Sequence, residues 1–178
     1  EATGIVYRVG PGVTKVRRGD KVCLTWIKSK GLSAFGTKYF YKKKIINAGP
    51  VNTFSNYSIV SENRVIKLSK KSSLKKNVLM GCAIPTAFNA VFNTLKKTKK
   101  ENIIIFGAGG LGLACIFAAK KAGFKTIFAL DKIDKKLKLA KEFGATNTIL
   151  VKTDDAKLQI KKYKNFFYNG IECTGNLN

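Results

Sequence analysis

Residues 107–112 read Gly-Ala-Gly-Gly-Leu-Gly and follow directly on the apolar run Asn102–Phe106. A buried strand, a glycine-rich turn and a helix that opens inside the turn are the parts of a phosphate cradle. Gly107 permits the tight turn. Gly109 lets the backbone approach a pyrophosphate, and Gly112 lets the helix pack closely on the strand. Gly110 and Leu111 complete the first turn, whose N–H groups and positive dipole end face an anion. Asp131 lies nineteen residues after Gly112, at the end of the next apolar run. A carboxylate there can accept hydrogen bonds from ribose hydroxyls and repel a 2′-phosphate, which favours NAD over NADP. Lys132 keeps an NADP reading open, and Lys136 either reaches the adenosine ribose or is a solvated helix residue. A methyltransferase site, or a glycine-rich turn with a surface Asp, is the competing interpretation.

The rest of the second half alternates in the same way. The pattern predicts strands at Asn102–Phe106, Thr126–Leu130, Thr148–Val151 and Tyr168–Cys173. Helices are predicted at Gly110–Ala122, Lys135–Phe143 and Asp154–Lys162, with Gly123 and Gly144 closing the first two. Such βαβ units call for an α/β fold with a parallel sheet covered on both faces. The first half reads differently. Strands are expected at Thr3–Val9, Lys21–Trp26, Phe54–Val60 and Val65–Leu68, separated by turns such as Gly10-Pro11-Gly12 and Arg18-Gly19-Asp20. Lys28–Lys44 is a basic excursion of undetermined structure. Ser73 is an expected N-cap, and a helix is expected over about Pro85–Leu95. The organisation is therefore a small β domain over 1–84 and a doubly wound domain over 85–178.

Charge and cysteine usage narrow the function. The chain of 178 residues carries 34 Lys and Arg against 10 Asp and Glu. Only Arg8, Arg17, Arg18 and Arg64 are arginines, the preferred residue for phosphate and base recognition. The excess is spread along the chain, densest at Lys42–Lys44 and Lys96–Lys100. Together with abundant Ile, Asn and Phe it reads as an AT-rich coding bias, and no nucleic-acid partner is expected. The apolar runs are too short to cross a bilayer, so no membrane partner is expected either. Cys23, Cys82, Cys115 and Cys173 form no CxxC pair and read as reduced thiols in a cytoplasmic protein. The absence of histidine removes imidazole acid–base chemistry and imidazole metal ligands.

The spacing Glu1-x-x-Gly4-x5-Gly10-x-x-Val13, followed by Gly19-Asp20-Lys21-Val22, resembles the zinc-type alcohol dehydrogenases of the medium-chain dehydrogenase/reductase superfamily. Phe54-Ser55-Asn56-Tyr57, Met80-Gly81-Cys82 and Glu172-Cys173-Thr174-Gly175 resemble further segments of that family in the same order. The resemblance implies a partial GroES-like domain, truncated at its front, and a partial Rossmann domain, truncated after its fourth strand. It implies hydride transfer between an alcohol, aldehyde or ketone and NAD, assisted by one catalytic zinc. Cys82 would be a zinc ligand and Glu1 the carboxylate beside that site, with the remaining ligands before residue 1. The residues present are therefore expected to hold catalytic zinc poorly and to be inactive alone. Thr86 would contact the nicotinamide, Leu111 would pack behind its ring, and Thr174 and Gly175 would line the coenzyme. The full-length protein would be a homo-oligomer.

One departure stands out. Many family members carry four closely spaced cysteines for a structural zinc. Residues 24–53 contain none, so no structural zinc is expected, and Tyr39–Lys44 occupies that place. A zinc-free quinone or enone reductase of the same superfamily is the nearest alternative activity. A basic nucleic-acid-binding module is the alternative from another class.

Overall fold

The computed structural model describes residues 1–47, 49–95, 101–151, 155–163 and 166–176. The Lys96–Lys100 run and Asp154 lie outside them. The chain divides into two units, Glu1–Cys82 and Ala83–Asn178; the expected division was two residues later.

The first unit is built on a three-stranded antiparallel sheet of β1 (Ala2–Ile5), β2 (Lys21–Leu24) and β5 (Val65–Lys67), with β2 in the centre. Val16, Val22 and Val65 form its small buried core, with Val6, Val13, Leu24 and Val60 packed against them. The β1 strand is shorter than the expected Thr3–Val9. Beyond Ile5 the chain is tied to the Arg18-Gly19-Asp20 turn instead: Val6 N–H donates to the Asp20 carbonyl and Gly19 N–H to the Val6 carbonyl. The basic excursion contains a hairpin, β3 (Lys38–Tyr41) and β4 (Lys44–Asn47). Its two turn residues, Lys42 and Lys43, both have positive φ, at 44° and 63°. Two-residue hairpins require this, and Asn-Gly usually supplies it.

The expected strand Phe54–Val60 is not formed. The segment bends, and Phe54, Tyr57 and Ile59 are exposed. Among the described residues its β-formers find no strand to pair with, and β propensity without a partner strand does not make a sheet. Ser73 does cap α1 (Leu74–Asn77), its hydroxyl accepting from Lys76 N–H.

Glu62 organises the loops of this unit. It opens a 3₁₀ turn (Glu62–Arg64) and is buried. Its Oε1 accepts from the N–H groups of Thr14 at 2.7 Å and Lys15 at 2.6 Å, and Oε2 accepts from Leu32 N–H at 2.7 Å. The Leu32, Lys15 and Thr14 amides favour the ionised form and hold the carboxyl below its ordinary range. A folded-state value below the unfolded one gives stability that is complete above the unfolded pKa. That stability is lost as pH falls through the folded value. The urea midpoint of this unit should therefore fall between about pH 5 and pH 3. Glu62→Gln should lower it at neutral pH and flatten that acid limb. A variant with the wild-type acid limb would show that Glu62 does not carry the linkage.

The second unit opens with α2 (Ala83–Asn89), which continues as a π-helical turn over Ala90–Thr94. Its sheet has β6 (Asn102–Phe106), β7 (Thr126–Asp131), β8 (Asn147–Leu150) and β9 (Asn169–Glu172), all parallel, in the order β8-β7-β6-β9. The strands are joined by α3 (Gly110–Ala122), α4 (Asp134–Phe143) and α5 (Asp155–Lys161). Alternate residues of each strand feed opposite faces. Ile103, Ile105 and Ile127 pack under α3 and α4 with Ile116 and Leu137. Ile104, Phe128 and Leu130 pack on the other face, against Tyr163 and Phe167. This is a doubly wound sheet whose strand order reverses between β6 and β9, where such folds bind ligands.

Candidate functional site

The glycine-rich turn lies at the carboxyl end of β6, on the reversal point of the sheet. Gly107 has φ +90°, the left-handed region, and its N–H donates to the Leu130 carbonyl at 2.7 Å. A Cβ there would also lie 2.9 Å from Thr174 Cγ2. Gly112 is held by a closer contact: a Cβ on it would stand 1.8 Å from the Gly107 carbonyl oxygen. The helix thus begins directly against the turn. Gly109 is the N-cap of α3 and Gly110 its first residue, and a Cβ on either would meet only open space. The first-turn N–H groups of Gly110, Leu111 and Gly112 precede the first intrahelical bond, from Leu113 N–H to the Gly109 carbonyl at 2.8 Å. Close packing behind, space in front and aligned donors make a cradle for an anion.

Asp131 is the last residue of β7. Its Oδ2 accepts from Ala108 N–H at 2.8 Å and its Oδ1 from Ile133 N–H at 2.9 Å. Lys136, in the first turn of α4, places Nζ 3.8 Å from Oδ2. The carboxylate is therefore fixed by the backbone of the turn it faces, and a cation accompanies it.

Thr174 and Gly175 follow β9, and the Thr174 side chain sits beside Gly107. Thr174 N–H and its hydroxyl both donate to Glu172 Oε1, and Gly175 N–H donates to Oε2 at 3.2 Å. The Thr174 hydroxyl and these amides hold the Glu172 carboxyl below its ordinary range. Glu172 thus clamps the loop at the mouth of the cradle. Sequence reasoning quoted Glu172 as part of a motif and gave it no role. The available signal was an acid two residues before Thr-Gly at a strand end. The Ala108 amide was missed as well, because backbone donors leave no side-chain trace.

Leu111 is half-buried against the α3 face of the core. Thr86 is exposed on α2. Cys82 is exposed at the end of the first unit, next to Gly81, whose carbonyl accepts from the Thr25 hydroxyl at 2.9 Å. The Glu1 backbone lies against Gly81, and the residue is exposed. Cys115 is buried on α3; its hydrogen bond with Cys173 and its burial push that thiol up. The described residues contain no group of three or more His, Cys, Asp or Glu able to hold a metal ion. No helix among them is long and apolar enough to cross a membrane.

Comparison with known proteins bears on the family and the fold of both units. Residues 1–70 match the alcohol dehydrogenase GroES-like domain, and residues 110–177 match the zinc-binding dehydrogenase domain. The chain is 30% identical over 210 residues to an S-(hydroxymethyl)glutathione dehydrogenase of Photobacterium damsela subsp. piscicida, covering 100% of this chain and 56% of that protein. It is 30% identical over 209 residues to an alcohol dehydrogenase class-3 of Caenorhabditis elegans, covering 99% and 54%. Benzyl alcohol dehydrogenase from Acinetobacter calcoaceticus shares the fold with a TM-score of 0.77 at 28% identity, over 98% of this chain and 54% of that one. The chain spans about half the length of the curated relatives it matches.

Proposed function

Because the chain belongs to the zinc-type alcohol dehydrogenases of the medium-chain dehydrogenase/reductase superfamily, we propose that its second unit binds NAD and serves hydride exchange between an alcohol and its aldehyde or ketone. The observation that carries this reading is the Asp131 carboxylate, held by Ala108 N–H over a glycine turn that has open space in front of it. Bound NAD supplies a nicotinamide ring that takes up or releases hydride. The chain's own residues do the holding. Gly109 and Gly110 admit the pyrophosphate to the N-terminus of α3. Asp131 accepts from the ribose hydroxyls and disfavours a 2′-phosphate. Lys136 keeps that carboxylate accompanied by a cation, and the Thr174–Gly175 loop walls the cradle. Leu111 packs behind the nicotinamide ring and Thr86 contacts it, roles implied by the resemblance of their segments to the family.

The same residues fit zinc less well. A catalytic zinc needs three protein ligands and an open position, and the described residues offer Cys82 without a cluster around it. Cys82 as a ligand and Glu1 as its neighbouring carboxylate therefore rest on the resemblance of Met80-Gly81-Cys82 and Glu1-x-x-Gly4 to the family's motifs.

Titration of the intact chain with NADH tests the reading. A saturable rise in NADH emission, weaker for NADPH, is expected. A folded chain that changes the emission of neither coenzyme overturns it.

A further inference from the structure

We propose that the first unit carries a second anion site, centred on Arg64, that takes a divalent oxyanion such as phosphate or a phosphate monoester. Arg64 is 8% exposed, yet no carboxylate among the described residues pairs with it. The unit has three acidic residues, Glu1, Asp20 and Glu62. Asp20 is held by Lys67 at 2.6 Å. Glu62, two residues from Arg64, has both oxygens occupied by the backbone amides of Thr14, Lys15 and Leu32. The nearest acid in sequence is thus already committed. The Arg64 guanidinium lies over the Trp26 ring, 5.5 Å from its centroid. That contact covers one face of the cation and leaves its in-plane N–H fork without a carboxylate. Its nitrogens still reach solvent, so the fork is open to a counter-charge arriving from outside.

The structure provides the space for one. Arg64 lines a pocket of about 350 Å³, together with Lys28, Ser33, Phe35, Gly36 and Pro50. Lys28 adds a second positive charge, and the Ser33 hydroxyl makes no hydrogen bond among the described residues. Ser61, also on the wall, is spent: its hydroxyl accepts from Ala34 N–H and donates to the Ala34 carbonyl. A guanidinium fork matches two oxygens of one anion, while an ammonium acts as a point charge beside it. Two cations and a hydroxyl suit a dianion better than a monocarboxylate. The pocket exceeds the volume of a bare oxyanion, so an esterified phosphate fits as well as the free ion.

Trp26 is the chain's single tryptophan, which makes its emission a direct reporter of what happens at Arg64. The test titrates the intact chain with inorganic phosphate, against sodium chloride and sodium acetate at matched ionic strength. The expected result is a saturable change in Trp26 emission with phosphate only. Lys28→Gln, at an exposed position, should weaken the apparent affinity by about tenfold while leaving the melting temperature unchanged. Arg64→Gln should abolish the response. An acetate response equal to that of phosphate, a response that survives Arg64→Gln, or a Lys28→Gln affinity equal to wild type would each overturn the proposal. Failure here leaves the NADH titration untouched, since that is read from coenzyme emission in the other unit.

Discussion

Gly112→Ala is expected to destabilise the second unit by about 3 kcal/mol or more and to abolish coenzyme binding with it. The added carbon would stand 1.8 Å from the Gly107 carbonyl oxygen and 2.9 Å from its carbonyl carbon. Those are backbone atoms, so no rotamer change relieves the clash. Gly107 cannot yield easily either: its N–H is bonded to the Leu130 carbonyl and it already borders Thr174. The remaining relief is to lift the start of α3 off the sheet, which breaks the cradle and uncovers Ile116 and Ile103. Gly109→Ala separates folding from binding. Its backbone is extended at φ −78° and ψ −168°, and its Cβ would meet nothing within 4 Å. That variant should melt within about 0.5 kcal/mol of wild type and still lose NADH emission enhancement, because the carbon projects into the space the pyrophosphate needs. Thermal melts paired with NADH titrations read both. A Gly112→Ala chain that melts like wild type would contradict the close packing, and a Gly109→Ala chain that binds NADH normally would move the pyrophosphate elsewhere.

The contrast between these two glycines shows what kind of information a sequence carries. From Asn102 onward the elements lie close to where the apolar pattern puts them. The strand Asn102–Phe106 and the helix Gly110–Ala122 have the expected bounds, because apolar runs of fixed length are punctuated by glycines that stop them. Asp131 was legible for the same reason, as an acid at a strand end. The first unit was harder because its elements depend on distant partners. Phe54–Val60 has β-forming residues and no strand beside it among the described residues, while Lys38–Asn47 forms a hairpin without the Asn-Gly signal, placing two lysines at positive φ instead. At the site, the missed contributors act through geometry rather than residue type. Ala108 matters for its N–H, and Glu172 for the turn it clamps. Arg64 is the extreme case, since a lysine-rich surface offers no hint that a cation among the described residues is buried.

Asp131→Ala should reduce the preference for NAD over NADP by about 10- to 100-fold, the span set by charge-assisted hydrogen bonds of roughly 1.5–3 kcal/mol. The carboxylate stands at the end of β7 with one oxygen on Ala108 N–H and the other on Ile133 N–H. Each carboxylate oxygen can accept more than one hydrogen bond, so both retain capacity for ribose hydroxyls. Removing the carboxylate has two effects that act together. NAD loses its acceptors, and a 2′-phosphate loses its repeller. Lys136, now 3.8 Å from Oδ2, would be left as an unbalanced cation, and Lys132 follows Asp131 directly in the chain; both charges favour the extra phosphate. The Ala108 amide also loses its acceptor, so some loss of affinity for both coenzymes is expected. The ratio of the two dissociation constants, rather than either alone, is therefore the quantity that tests the role. Asp131→Asn completes the experiment by keeping an acceptor for Ala108 N–H while removing the charge. It should recover part of the lost NAD affinity without restoring discrimination against NADP. A ratio unchanged in both variants would mean that Asp131 braces the turn and leaves coenzyme choice to other residues.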